Sequence, residues 1–320
     1  MKKQLLTLAL SALSFSSFAK IMIVDNNGNN PQNYTSLQKA IDDSGKGDTL
    51  YVKGSSTSYG DAVVKKSLVL IGDGYAEPTI ERPNSKTTIG TLTFESVNAS
   101  NSEVRGVALV QLSFQNATII DHFKLMESNV RLISSNNLES ILYLEITNNY
   151  IGDVSCSAYL FLSTIANNQI DRFYAPTHNG ANLIIPGQNH IKNNIFRYAI
   201  ACEYAIIKNN FFYDITLSQN YNNWYIDNIS YNLPVEKYDL NNNQLQGNIL
   251  GSIDNELHVY DTAGQVHDEV GIFAGTYAWV DGTQQQPGLM PSVHSLNIDN
   301  KYLPSNDTLK VNFKAKSIRD

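Results

Sequence analysis

The chain has 320 residues, a formal net charge of −7 and only 17% charged side chains. A negative chain without a basic stripe is repelled by phosphate, which argues against a nucleic-acid partner. An acidic polysaccharide would need a cation or a local arginine cluster to bridge the repulsion.

Lys2 and Lys3 precede an apolar run from Leu5 to Phe18, and Ser17 and Ala19 put small residues where a signal peptidase reads. This is the layout of a secretory leader over residues 1–19, with cleavage expected after Ala19. The run is too short and too serine-rich for a transmembrane span, and no later stretch is apolar enough for one. The expected mature protein starts at Lys20 and is secreted, periplasmic or on the cell surface.

Tyr34 to Ile41 reads as an N-capped amphipathic helix, apolar at Leu37, Ala40 and Ile41 and ended by Gly45 and Gly47. Strands are expected at Thr49–Val52 and Ser67–Ile71. A helix here would cover the open edge of the first repeat.

From residue 140 to 250 one phrase recurs: an apolar strand, two asparagines, then two apolar or aromatic residues. It occurs at Asn148-Asn149, Asn167-Asn168, Asn193-Asn194 and Asn209-Asn210, with fainter copies around Asn228 and Asn248. A period near 20 residues means stacked units, none of which buries its apolar face alone. Asn suits the sharp turns because it tolerates the left-handed backbone region and its amide bonds backbone groups. The expected fold is all-β: a right-handed parallel β-helix of three stacked sheets, with the four Asn pairs on one turn line. It spans 20–261 with an N-terminal capping helix. A C-terminal β tail over 262–320 is expected to cover the last repeat, its hairpin formed by His294–Ile298 and Thr308–Phe313.

Ser36–Ile41, Gly47–Val52 and Lys66–Gly72 together resemble the opening of right-handed parallel β-helix proteins of the pectin-lyase-like group, and the Asn-Asn units resemble their repeats. The resemblance covers roughly residues 30 to 260 and implies the fold more than the activity. It also implies polysaccharide chemistry. Lyases of that fold use an acidic Ca²⁺ site and an arginine base; hydrolases use closely placed aspartates, one from an Asp-Asp pair. Here the Asp-Asp pair is Asp42-Asp43, inside the expected cap helix, and no complete catalytic set carries over.

The histidines are scattered without metal-ligand spacing, and His267-Asp268-Glu269 reads as a solvated turn. Cys156 and Cys202 fall two repeats apart, about 9–10 Å, beyond the ~7 Å limit for a disulfide. Free buried thiols are expected. Tyrosine crowds the middle repeats, either as a sugar-stacking platform or simply as a good strand former.

Aligning the repeats on the first Asn gathers Asp153, Asp171, Arg172, Arg197, Tyr198, Tyr213 and Asp214 on one face. A longer interval, Phe173 to His190, is expected to lean over it and to bring His178. Arg197 and Asp171 are the candidate reactive pair; the carboxylates could also hold Ca²⁺. The plain alternative is a ladder of surface salt bridges. The reading is a non-catalytic, glycan-binding or surface-associated module. A polysaccharide lyase or glycoside hydrolase is the alternative.

Overall fold

Alternating aliphatic and polar residues let each strand send one apolar side chain inward and its neighbours outward. The computed structural model describes residues 19–28, 30–76, 86–175, 189–213, 216–217, 222–231, 243–275, 292–298 and 311–316. Nearly the whole leader, His178 and Asp214 lie outside these residues, as does most of the interval expected to lean over the face.

Among the described residues, eleven strands form one all-parallel sheet running from Ile21–Val24 to Gln244–Gln246. Its register stacks equivalent residues in single file: Leu50, Leu70, Val104 and Leu125, then Ile146, Ile165, Ile191 and Ile207. All eight are buried, and each such burial stabilises by roughly 1.5–3 kcal/mol. A second sheet of thirteen strands runs from Ala62–Val64 to Val259–Asp261 and is parallel except at that last strand. Ile151, Ile170, Phe196 and Phe212 form its inner file. The two sheets enclose one apolar core.

Three separate sheets were expected; the pairing resolves into two long ones. Ala108–Asp121 and Asn129–Leu142 run unbroken past Asn116 and Asn137, which turn in the left-handed region. A further line of pairing, such as Ile141 with Leu160, therefore stays attached to the second sheet. No helix among the described residues is long and apolar enough to cross a membrane.

The N-terminal helix α1 is Leu37–Asp43. It starts later than the sequence suggests because Ser36 is the cap: its backbone is extended and its hydroxyl accepts from the Lys39 N–H at 3.3 Å. Leu37, Ala40 and Ile41 face the core.

The Asn pairs divide two tasks between two neighbours. The first residue makes the turn, with φ of 58° at Asn148, 55° at Asn167, 57° at Asn193 and 55° at Asn209. The second is fully buried and carries a ladder. The Oδ1 of Asn149 accepts from the Ser128 N–H, and the Asn149 N–H donates to Asn168 Oδ1, both at 2.9 Å. The series continues through Asn194, Asn210, Asn228 and Asn248. Asn228 thus follows Asn210, not Asn209; Asp227 (φ 50°) holds the turn position of that repeat and Gly247 (φ 67°) that of the next.

A second left-handed line is not signalled by turn residues. Lys124, Glu145 and Thr164 are in register, so His122, Tyr143 and Leu162, two residues earlier, occupy one corner at φ of 51°, 49° and 53°. The rings of His122 and Tyr143 stack at 4.4 Å.

Beyond Val259–Asp261 the chain turns back along the Asn line. The Gly271 N–H donates to the Asn209 carbonyl at 3.0 Å. The amides of Asn167 and Asn193 donate to the Ala274 carbonyl. Val259, Val270 and Ile272 cover Ile195, Phe211 and Ile229, making a second apolar cluster on the outside of the sheet. Ser292–Ile298 and Val311–Lys316 pair antiparallel, the hairpin expected of the tail.

Cys156 and Cys202 are free and buried. Ser155 pairs with Tyr174 and Tyr174 with Ala201, so the residues after them are two strand spacings apart.

Candidate functional site

In the second sheet, residues one and three places after the ladder asparagine point outward, while the one between them enters the core. The fourth residue after each turn position forms the outer column Gly152, Asp171, Arg197, Tyr213. Because Asp227 is the turn residue of the next repeat, Tyr231 belongs to the same column. The sequence reading missed it by aligning Asn228 with Asn209.

The structure brings most of the expected residues together. Asp153 pairs in register with Arg172, and the Arg172 Nη1 lies 3.4 Å from Asp153 Oδ2. Arg197 Nε lies 3.9 Å from Asp171 Oδ1. All four side chains are 39–53% exposed, so each pair contributes little to stability. Burial raises the Asp171 carboxyl above its ordinary value; Asp153 adds to this, and Arg197 and Arg172 oppose it.

One register shift changes the expected alignment. Ile170 pairs with Phe196 but Arg172 with Ala199, so Arg197 and Tyr198 together stand against Asp171 alone. This β-bulge turns Tyr198 out of file, and the Arg172 guanidinium lies 5.9 Å from its ring centre.

Gln169 and Tyr150 also belong to the site and were not picked out for it. With its amide oxygen turned toward the guanidinium, Gln169 accepts from Arg197 Nε at 2.9 Å. Burial raises the Tyr150 hydroxyl and nearby Arg197 opposes the shift. Tyr75, from far earlier in the chain, packs edge-on against Tyr150 at 5.8 Å. No spacing rule would have found that contact.

Tyr213 and Tyr231 are about half exposed and stack at 5.5 Å with planes 17° apart. Stacked rings cover each other's faces. The pair therefore offers ring edges, hydroxyls and two end faces rather than a broad platform.

The site does not suit Ca²⁺, which takes six to eight oxygen ligands. Asp153 and Asp171 each already face an arginine, and no cluster of three or more metal-binding side chains occurs among the described residues. Asp42 and Asp43 lie on α1, where Asp43 pairs with Lys39 at 2.9 Å.

No model of a known protein family matches the chain, and no curated protein matches it. A solved structure of ORF18 from Geobacillus virus E2 is similar at 9% sequence identity and a TM-score of 0.28, over 73% of this chain and 61% of that one.

Proposed function

We propose that this chain is an exported right-handed parallel β-helix, capped by α1 at one end and carrying its β tail over 262–320 at the other. It binds an extracellular polysaccharide without cleaving it. The observation that supports this is the outer column Arg197, Tyr213, Tyr231. It lines up one guanidinium, itself paired with Asp171, and two phenols at the strand spacing of about 4.8 Å, on a sheet that also carries the Arg172–Asp153 pair. A glycan lying along the column meets a hydrogen-bond donor at each step, and the end faces of the tyrosine pair can cover sugar C–H groups.

One observation favours the enzyme reading, as a polysaccharide lyase or glycoside hydrolase: burial raises the Asp171 carboxyl above its ordinary value although Arg197 opposes the shift, which is the direction a general acid needs. Affinity electrophoresis in gels containing pectin, alginate or neutral glucans tests binding. Arg197→Ala and Tyr231→Ala should each weaken retardation tenfold or more. New reducing or unsaturated ends in the same incubations would replace the binding reading with the enzyme reading. Unchanged retardation in both folded variants would leave only surface salt bridges.

A further inference from the structure

One corner of the eleven-stranded sheet carries its own line of bonds. At a position held in register from repeat to repeat, a backbone N–H donates to the side-chain oxygen of the equivalent residue one repeat on. Leu68 donates to Ser102 Oγ at 3.1 Å and Leu144 to Ser163 Oγ at 3.2 Å. Ser163 donates to Asn189 Oδ1 at 3.1 Å, and Ala205 to Asn223 Oδ1 and Asn223 to Asn243 Oδ1 at 2.9 Å. These acceptors are neutral hydroxyls and amides. At the first rung, Lys20 donates to Asp48 Oδ1 at 2.7 Å, one residue before the paired Ile21 and Thr49. There the acceptor is a carboxylate.

That carboxylate is buried, Asp48 being 7% exposed. Its Oδ2 accepts the Gly45 N–H at 2.7 Å, just beyond the end of α1. The lysines of this end of the chain pair elsewhere, Lys39 with Asp43 at 2.9 Å and Lys53 with Asp25 at 3.7 Å. A buried carboxylate held only by amide N–H groups leaves its charge uncompensated. Serine or asparagine would accept the same N–H without that cost, as the other rungs show. The carboxylate suits a donor that is positively charged.

Lys20 is where the expected leader cleavage puts the first residue of the mature chain. Hydrolysis of the Ala19–Lys20 peptide bond by a signal peptidase consumes one water. It leaves a carboxylate on Ala19 and an α-amine on Lys20, which is mostly protonated at neutral pH with an ordinary pKa of about 7.7–8.0. The Lys20 nitrogen already stands at a distance typical of a charge-assisted bond. Cleavage thus supplies the charge without moving the strand.

We propose that Asp48 is the receptor for the mature N-terminus, binding the Lys20 α-ammonium and fixing the start of the first strand. The assignment rests on the leader reading. The rest of that strand has other supports: the Tyr34 N–H donates to the Ile23 carbonyl at 2.9 Å and the Asp25 N–H to the Tyr34 carbonyl at 2.7 Å. Its start is held by the Thr49 N–H on the Lys20 carbonyl at 2.8 Å and by Asp48. Through Gly45 the same carboxylate ties that start to the end of α1.

The test compares a chain starting at Lys20 with one starting at Ser17, which keeps the Ala19–Lys20 peptide bond, each with and without Asp48→Asn. Asparagine still accepts an N–H, as at the other rungs, so the variants should fold. Hydrogen exchange at the Thr49 amide reads the start of the strand. Asp48→Asn should speed it about tenfold or more in the chain starting at Lys20 and less than about twofold in the chain starting at Ser17. N-terminal sequencing of the exported full chain should begin at Lys20. An equal change in both chains, or none in either, overturns the receptor even where the exported protein begins at Lys20. An exported protein that begins elsewhere overturns the leader reading, and the receptor with it, whatever the exchange shows.

Discussion

Asn168 donates from Nδ2 to Asn194 Oδ1 at 3.0 Å although 26 residues separate them, the same distance that joins Asn194 to Asn210 across 16. Loop length varies, but the ladder does not. Each rung is a buried amide whose donors and acceptors are all used, and the next repeat must return to the same place to satisfy them.

The two asparagines of a pair therefore answer differently to mutation. Asn168→Ala orphans the buried Asn149 N–H and removes the side-chain bonds to the Ile146 and Ala166 carbonyls, although the Ala166 carbonyl still accepts from the Asn148 N–H. With about 1–3 kcal/mol for the orphan and about 1 kcal/mol for each lost bond, the loss should be about 3 kcal/mol or more. Asn148→Gly keeps the left-handed turn and should change stability by less than about 1 kcal/mol. Urea unfolding of the two variants should separate them clearly; equal losses would refute the division of tasks.

The thiols should be inert in the native protein. Burial pushes the Cys156 thiol up to about 12, and Cys202 is raised by the same cause. The thiolate is the reactive form. Ellman's reagent at pH 8 should find no thiol in the native protein and two after denaturation. Fewer than two after denaturation without reductant would reveal a disulfide.

Leu162 is strained where it stands. It sits at φ 53° and is 46% exposed, so it carries the left-handed cost of roughly 1–2 kcal/mol without much burial in return. Leu162→Asn should raise stability by about 1 kcal/mol in thermal or urea unfolding. A destabilised variant would show that its exposed contacts outweigh the strain.

The returning segment should loosen at both ends of the pH scale. His267 is raised above its ordinary value by Glu269 and Asp261, so its share of stability is complete below about pH 6.5 and is lost as pH rises through the raised value. Glu269 is lowered by His267, and Asp261 is lowered first by the Gln265 N–H; their shares are lost as pH falls through those lowered values. Lys208 and Asp227, 3.8 Å apart, face His267 and Glu269 from the adjoining repeats. Hydrogen exchange at the Gly271 amide, corrected for the intrinsic rate, should show maximal protection near pH 5–6. His267→Gln should abolish the alkaline loss; a loss that persists would assign it elsewhere.

The sequence by itself determined the repeats where side-chain chemistry admits few substitutes. Asn148-Asn149 through Asn209-Asn210 were legible because a left-handed turn and a buried amide ladder both call for Asn. The capped helix near the start and the two-repeat gap between the cysteines followed from local capping and from counting repeats, although the helix begins after the Ser36 cap rather than at Tyr34. The gathering of Asp153, Asp171, Arg172 and Arg197 followed from the same count. The tertiary structure decided the rest. Asp227 replaces Asn at a turn that needs only positive φ, so the last repeats slipped by one residue and Tyr231 was lost from the column. The bulge at Arg197-Tyr198, the left-handed backbone at Tyr143 and Leu162, and the path of Gly271–Ala274 over Asn167 and Asn193 leave no local mark. In each, backbone conformation is imposed by the neighbouring repeat or by a distant segment. The free energy that holds it comes from contacts between residues far apart in the chain, which no window of adjacent residues contains.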